Sequence, residues 1–112
     1  MNIPPSNSPQ LDSVFGALAH PKRRGIIHDL SLHPATVGQL ASDHQLSLPA
    51  IHKHIRTLED ANLIVRRKVG RTNFAALKVG SLALTQAWIN QYRTGWESDE
   101  ATLHNYIARM RE

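Results

Sequence analysis

The sequence predicts a mainly α fold with one small β-hairpin. Three observations carry this. Apolar residues recur at helical spacing from residue 11 to about residue 61. The period then changes at "LIVRRKV" and "NFAALKV", where β-branched and aromatic residues flank a "GRT" turn. From Ser81 helical spacing returns and runs to the end. A length of 112 residues favours a single domain with a modest core.

Residues 1–10, "MNIPPSNSPQ", hold three prolines and no apolar run. They are expected to form a flexible arm, neither a signal peptide nor a span. Residues 11–112 are expected to form one domain. Leu11, Val14, Phe15 and Leu18 mark its first helix. Pro21 suits the opening of a second, where a missing N–H costs nothing. Ile26, Ile27 and Leu30 are that helix's stripe, Gly25 weakens it, and "HPAT" ends it. Thr36 with Gln39 makes a capping-box pattern for a short third helix. There Val37, Leu40 and Ala41 face inward, and the helix stops near Asp43. After "QLS", Ser47 is the next N-cap and Pro49 falls in the first turn. This fourth helix runs to about Ala61 with Ile51, Ile55 and Leu58 inward, and Asn62 caps its end. Beyond the hairpin, Leu84, Trp88 and Tyr92 recur every fourth residue in a last helix. Gly95 marks a kink or break; Trp96, Leu103, Tyr106 or Ile107, and Met110 continue the stripe.

Composition removes several classes of function. There is no cysteine, so disulfides, thiolate metal sites and Cys nucleophiles are excluded. No G-x-S-x-G, P-loop or H-E-x-x-H motif is present, and no catalytic residue or cofactor is expected. No apolar stretch approaches the roughly 18 residues of a membrane span. A cytoplasmic location fits.

The net charge is +4, and its excess is local. Residues 1–63 carry five basic and five acidic side chains, and residues 79–112 carry three and four. Residues 64–78 carry five basic ones (Arg66, Arg67, Lys68, Arg71 and Lys78) and no acid. Such a cluster can be a solvated face or a phosphate-binding patch. Its context favours the second. A short helix, a tight turn and a longer helix, at about residues 36–61, make a helix-turn-helix unit. Such a unit can lay its second helix in the major groove of double-stranded DNA. A basic hairpin at about residues 64–78 would be a wing reaching the adjacent phosphates. The expectation is a winged helix-turn-helix that regulates transcription.

Three segments carry a family resemblance: "ALAHPKRRGIIHDL", "TVGQLASDHQLSLPAIHKHIRTLEDANLI" and "RRKVGRTNFAALK". Over about residues 11–95 the chain resembles the ArsR/SmtB-like winged helix-turn-helix repressors. The resemblance implies a homodimer paired through its first and last helices, the latter at about residues 81–111. It also implies an autorepressor on an inverted-repeat operator, nucleoid-associated in a bacterial cytoplasm. The family's soft-metal site uses cysteines near the first helix of the unit; here that segment is "TVGQLASDH". Its other metal site uses Asp and His on the last helix; here "SLALTQAWINQYR" has neither. No metal site is carried over, and seven scattered histidines remain.

Two of those histidines sit in "IHKHIR", residues 51–56. On a strand His52 and His54 would share a face. On a helix, at about 100° per residue, they diverge. With Ile51 and Ile55 buried, His52, Lys53 and Arg56 face the groove, while His54 turns inward as a partly buried, hydrogen-bonded ring. Ser47, Leu48 and Ala50 stand at the helix start, nearest base edges and thymine methyls. Arg56 is open to either a base or a phosphate. Thr36 offers its hydroxyl to a phosphate or serves only as a cap. Arg66, Arg67, Lys68 and Arg71 are the wing contacts, with Arg71 at the tip. Lys22, Arg23 and Arg24 are expected in solvent. Val14, Phe15, Leu18, Leu84, Trp88, Tyr92 and Trp96 are the expected dimer seam, because so small a domain has little interior left for them. Two alternatives stay open: a metal-responsive repressor with histidine ligands, and a winged-helix module that meets protein. An effector, small molecule or protein, is unidentified.

Overall fold

In the computed structural model, residues 3–92 and 99–111 are described. The order is α1 (Pro9–Leu18), α2 (Pro21–Leu32), β1 (Ala35–Thr36), α3 (Val37–Asp43), α4 (Leu48–Asp60), β2 (Ile64–Val69), β3 (Thr72–Leu77), α5 (Gly80–Asn90) and α6 (Asp99–Met110). Three strands form one antiparallel sheet in the order β1-β3-β2. None of the described helices is long and apolar enough to cross a membrane.

Local chemistry explains the boundaries. α1 starts two residues before Leu11, because the Ser8 hydroxyl accepts the Leu11 N–H and Pro9 suits the first turn. The N-terminal segment is therefore partly fixed: Gln10 donates to the Ser81 hydroxyl at 2.7 Å, and Trp88 donates to Ser6 at 3.3 Å. Thr36 caps α3 by accepting the Gln39 N–H at 3.0 Å. The reciprocal half of the capping box is not made, since the Gln39 amide turns to Asp43 instead. Ser47 caps α4 by accepting from Ala50. Two left-handed residues close the turns: Gln45 (φ 55) after α3 and Asn62 (φ 63) after α4. In each turn the next N–H reaches back to the helix, Leu46 to Ala41 and Leu63 to Leu58.

The core lies where α1 to α4 meet the base of the sheet. Val14, Ile26, Leu40, Ile51, Ile55, Leu58 and Leu63 are fully buried there. Burying such a side chain contributes about 1.5–3 kcal/mol. β1 follows α2 directly and pairs Ala35 with Ala75 and Thr36 with Phe74. α5 packs on α1. The backbone turns at 91–92 after α5. Trp96 and Gly95 lie outside the described residues. α6 has no substantial packing partner among the described elements. Its Leu103, Tyr106, Ile107 and Met110 are exposed along one stripe.

Candidate nucleic-acid interface

α4 has two faces with separate duties. Ile51, Ile55 and Leu58 are sealed in the core. Ser47, Leu48, His52, Lys53 and Arg56 are exposed on the other side, and Ala50 is half-buried between. An open groove of about 1000 Å³ runs between this outer face and β2. Ser47, Ala50, His52, Lys53, Arg56 and Arg66 line it, so six expected contact residues are brought together. Glu59 and Asp60 line it too, which the charge pattern alone did not reveal.

The wing is a two-residue hairpin in which Val69 pairs with Thr72. Gly70 takes φ +61 there, a conformation that glycine adopts without strain. Arg71 is therefore the exposed tip. In the register Ile64 pairs with Leu77 and Arg66 with Ala75, so Ile64, Arg66 and Lys68 share the core side of the sheet. Arg67 takes the other face, beside Val65 and Val69. All of Val65 to Arg71 are solvent-exposed.

Arg66 is not a free cation. Its guanidinium pairs with the Glu59 carboxylate at 3.2 Å, tying the wing to the end of α4. Thr36 sits across β3 from Arg67, since both pair with Phe74. Its hydroxyl accepts from Gln39 and remains a donor.

Three basic residues of α2 do more than the sequence suggested. Lys22 donates to the His44 carbonyl at 2.7 Å, and Arg24 donates to the Leu18 carbonyl at 2.7 Å. Arg23 donates to the Ala17 and Gly16 carbonyls and to His54. They satisfy the open carbonyls at the end of α1 and the α3–α4 turn. Three cations directly beyond a helix end were the available signal, since such residues complement the last carbonyls and the dipole. His54 is half-buried and hydrogen-bonded on the inner side of α4. Among the described residues, no three His, Asp or Glu side chains cluster as a metal site.

Of the expected seam, Phe15, Trp88 and Tyr92 form an edge-to-face aromatic row across α1, α5 and the turn that follows it. Phe15 and Tyr92 are exposed, and Leu18, Leu84 and Trp88 are half-buried. Val14 corrects the expectation: it is 0% exposed within this chain's own core and has no surface to offer a partner.

A helix-turn-helix whose second helix bares a polar face beside a basic hairpin is the winged helix-turn-helix of DNA-binding regulators. A helix-turn-helix domain model matches residues 18–67. The chain is 32% identical to the HTH-type transcriptional regulator Rv2034 of Mycobacterium tuberculosis, over 74% of this chain and 78% of that protein. It is 26% identical to the transcriptional repressor SdpR of Bacillus subtilis, over 80% of this chain and 99% of that protein. A crystal structure of an ArsR family transcriptional regulator superposes with TM-score 0.69 at 37% identity, covering 76% of this chain and 94% of that one. The chain belongs to the ArsR family of transcriptional regulators.

Proposed function

We propose that the chain is a homodimeric repressor that reads an inverted-repeat operator through the outer face of α4. The observation that carries this is the division of α4. Its apolar side is consumed by the core, and its free side faces a groove flanked by the wing. His52 and Lys53, with Ser47, Leu48 and Ala50 at the helix start, meet base edges. Arg56 and Arg66 border the groove; Arg67, Lys68, Arg71 and the Thr36 hydroxyl hold phosphates. The protein does no chemistry; its work is occupancy of DNA in the cytoplasm.

Dimerisation is supported by apolar surface left without a partner. Phe15 and Tyr92, with Leu18, Leu84 and Trp88 behind them, offer one patch. The exposed stripe of α6 offers a second. Burying both in a two-fold seam sets two α4 helices about 34 Å apart, one turn of DNA. Repression fits the family and the similarity to SdpR.

Binding to the protein's own promoter, measured from about 50 to 200 mM salt, tests the proposal. The expected log–log slope is about −0.9 per phosphate contact, and a flat response refutes it. Arg71→Ala should weaken specific and random duplexes alike. His52→Ala and Lys53→Ala should instead narrow the gap between them, typically by about 1–3 kcal/mol. Equal losses on both duplexes for all three variants count against the assigned roles.

A further inference from the structure

α4 is held from behind by a histidine. His54 faces away from the groove, toward the junction of α1 and α2, and its Nδ1 lies 3.2 Å from the Arg23 guanidinium. A guanidinium only donates, so Nδ1 is the acceptor. The same guanidinium donates from Nε to the Ala17 carbonyl at 2.6 Å and from Nη2 to the Gly16 carbonyl at 3.3 Å. One cation thus bolts the end of α1 to α4. A second ring, His20, lies against His54 with centroids 4.6 Å apart. Its Nδ1 accepts the Lys22 N–H at 3.1 Å as the N-cap of α2. Both rings therefore carry their proton on Nε2. Neither can be protonated at Nδ1 without breaking the bond it makes.

Among the described residues, the surroundings offer an imidazolium no counter-charge. Lys22, Arg23, His20 and Lys53 face His54. The acids of the packed elements are engaged elsewhere: Asp29 with His44, Asp43 with Gln39, and Glu59 with Arg66. Asp12 and Asp60 line a separate groove beside Thr57. Burial, then the charges of His20, Arg23, Lys53 and Lys22, push the His54 imidazole below its ordinary 6.5. Its neutral form, and the bond to Arg23, persist at 6.5 and are lost as pH falls through the lowered value.

We propose that His54 and Arg23 are a positioning pair that seats α4 on the end of α1, and that acidification releases the seat and weakens DNA binding. The proposal rests on α4 being the reading helix. Of the DNA-facing side chains only Lys53 enters it, as one of the charges near His54.

His54→Asn keeps an acceptor near the Nδ1 position and removes the titration. Affinity for the operator duplex would be measured at about pH 8 and pH 5.5 for both proteins. His52 stands on the DNA side in both proteins, so its contribution cancels in the comparison. The loss on acidification should be several-fold larger for the wild type than for His54→Asn. Equal losses overturn the proposal. A second arm uses the free wild-type protein and imidazole nitrogen NMR. His54 should show the Nε2–H tautomer at high pH, with the Arg23 Nε and the α4 amides shifting in the same step as its protonation. A His54 that titrates while Arg23 and α4 stay still refutes the pairing, whatever happens with DNA. If neither protein binds duplex even at high pH, the role of α4 as reader fails instead, and the NMR arm decides the seat alone.

Discussion

Gly25 occupies the middle of α2, where glycine costs a helix about 1 kcal/mol relative to alanine. The reason is its neighbour. A Cβ there would lie 2.8 Å from Cε1 of His44. That ring is held in place by its Nε2–H donating to Asp29 at 2.7 Å. Gly25→Ala should therefore fail to stabilise the wild type and should lose about 1 kcal/mol or more as the ring is displaced. In a His44→Ala background the same change should gain up to about 1 kcal/mol. Urea unfolding of the four proteins reads the switch in sign. In the sequence the glycine reads only as a weak spot, because the ring it accommodates comes from the C-cap of α3. The opposite held for His54, whose inward position followed from helical spacing alone. Its partner Arg23 did not, being on another element. Because His54 titrates below its ordinary value in the fold, it adds stability at neutral pH that is lost on acidification below about 6.5. The wild type should then lose more stability than His54→Asn between neutral pH and about pH 5, as thermal melts at each pH will show.

At the level of elements, one ion pair ties the wing to the end of α4. Arg66 reaches Glu59 at 3.2 Å, and both side chains are about one-third exposed, so the pair contributes at most about 1 kcal/mol. Its larger effect is on charge beside the DNA. Glu59→Gln should leave the melting temperature nearly unchanged, free Arg66, and remove an anion from the groove. Affinity for any duplex at low salt should rise several-fold, with a steeper salt slope. Unchanged affinity would place Glu59 away from the DNA path. The hairpin, α3 and α4 were legible because caps, turn residues and apolar spacing agreed there. By contrast, α1 begins earlier than its apolar stripe, and the last helical stretch is two helices, α5 and α6. β1 was not legible: two residues, Ala35 and Thr36, show no period, and only the register with β3 makes them a strand. They stitch the start of α3 to the wing, so the two halves of the interface share one sheet.

The whole molecule is extended. Its radius of gyration is 19.1 Å, against about 13 Å for a compact chain of this length. An α6 with Leu103, Tyr106, Ile107 and Met110 exposed suits a subunit that completes its interior by pairing. Ile107→Glu should turn a dimer into a monomer in sedimentation, keep the helix-turn-helix folded, and cut operator affinity by an order of magnitude or more. A variant that remains dimeric would move the seam elsewhere, to the Phe15–Trp88–Tyr92 face. Composition and spacing announced this apolar excess. Val14 was misassigned because a stripe on one helix does not reveal which edge its own chain covers. The split of α4 has a last consequence, and it concerns change over generations. Leu48, His52, Lys53 and Arg56 lend no side-chain bond to the interior among those the structure records, so they can be exchanged at little cost to folding. A new target site can thus be acquired by rewriting a few letters on a finished scaffold, and a library randomised at those four positions should yield mostly folded proteins with scattered addresses.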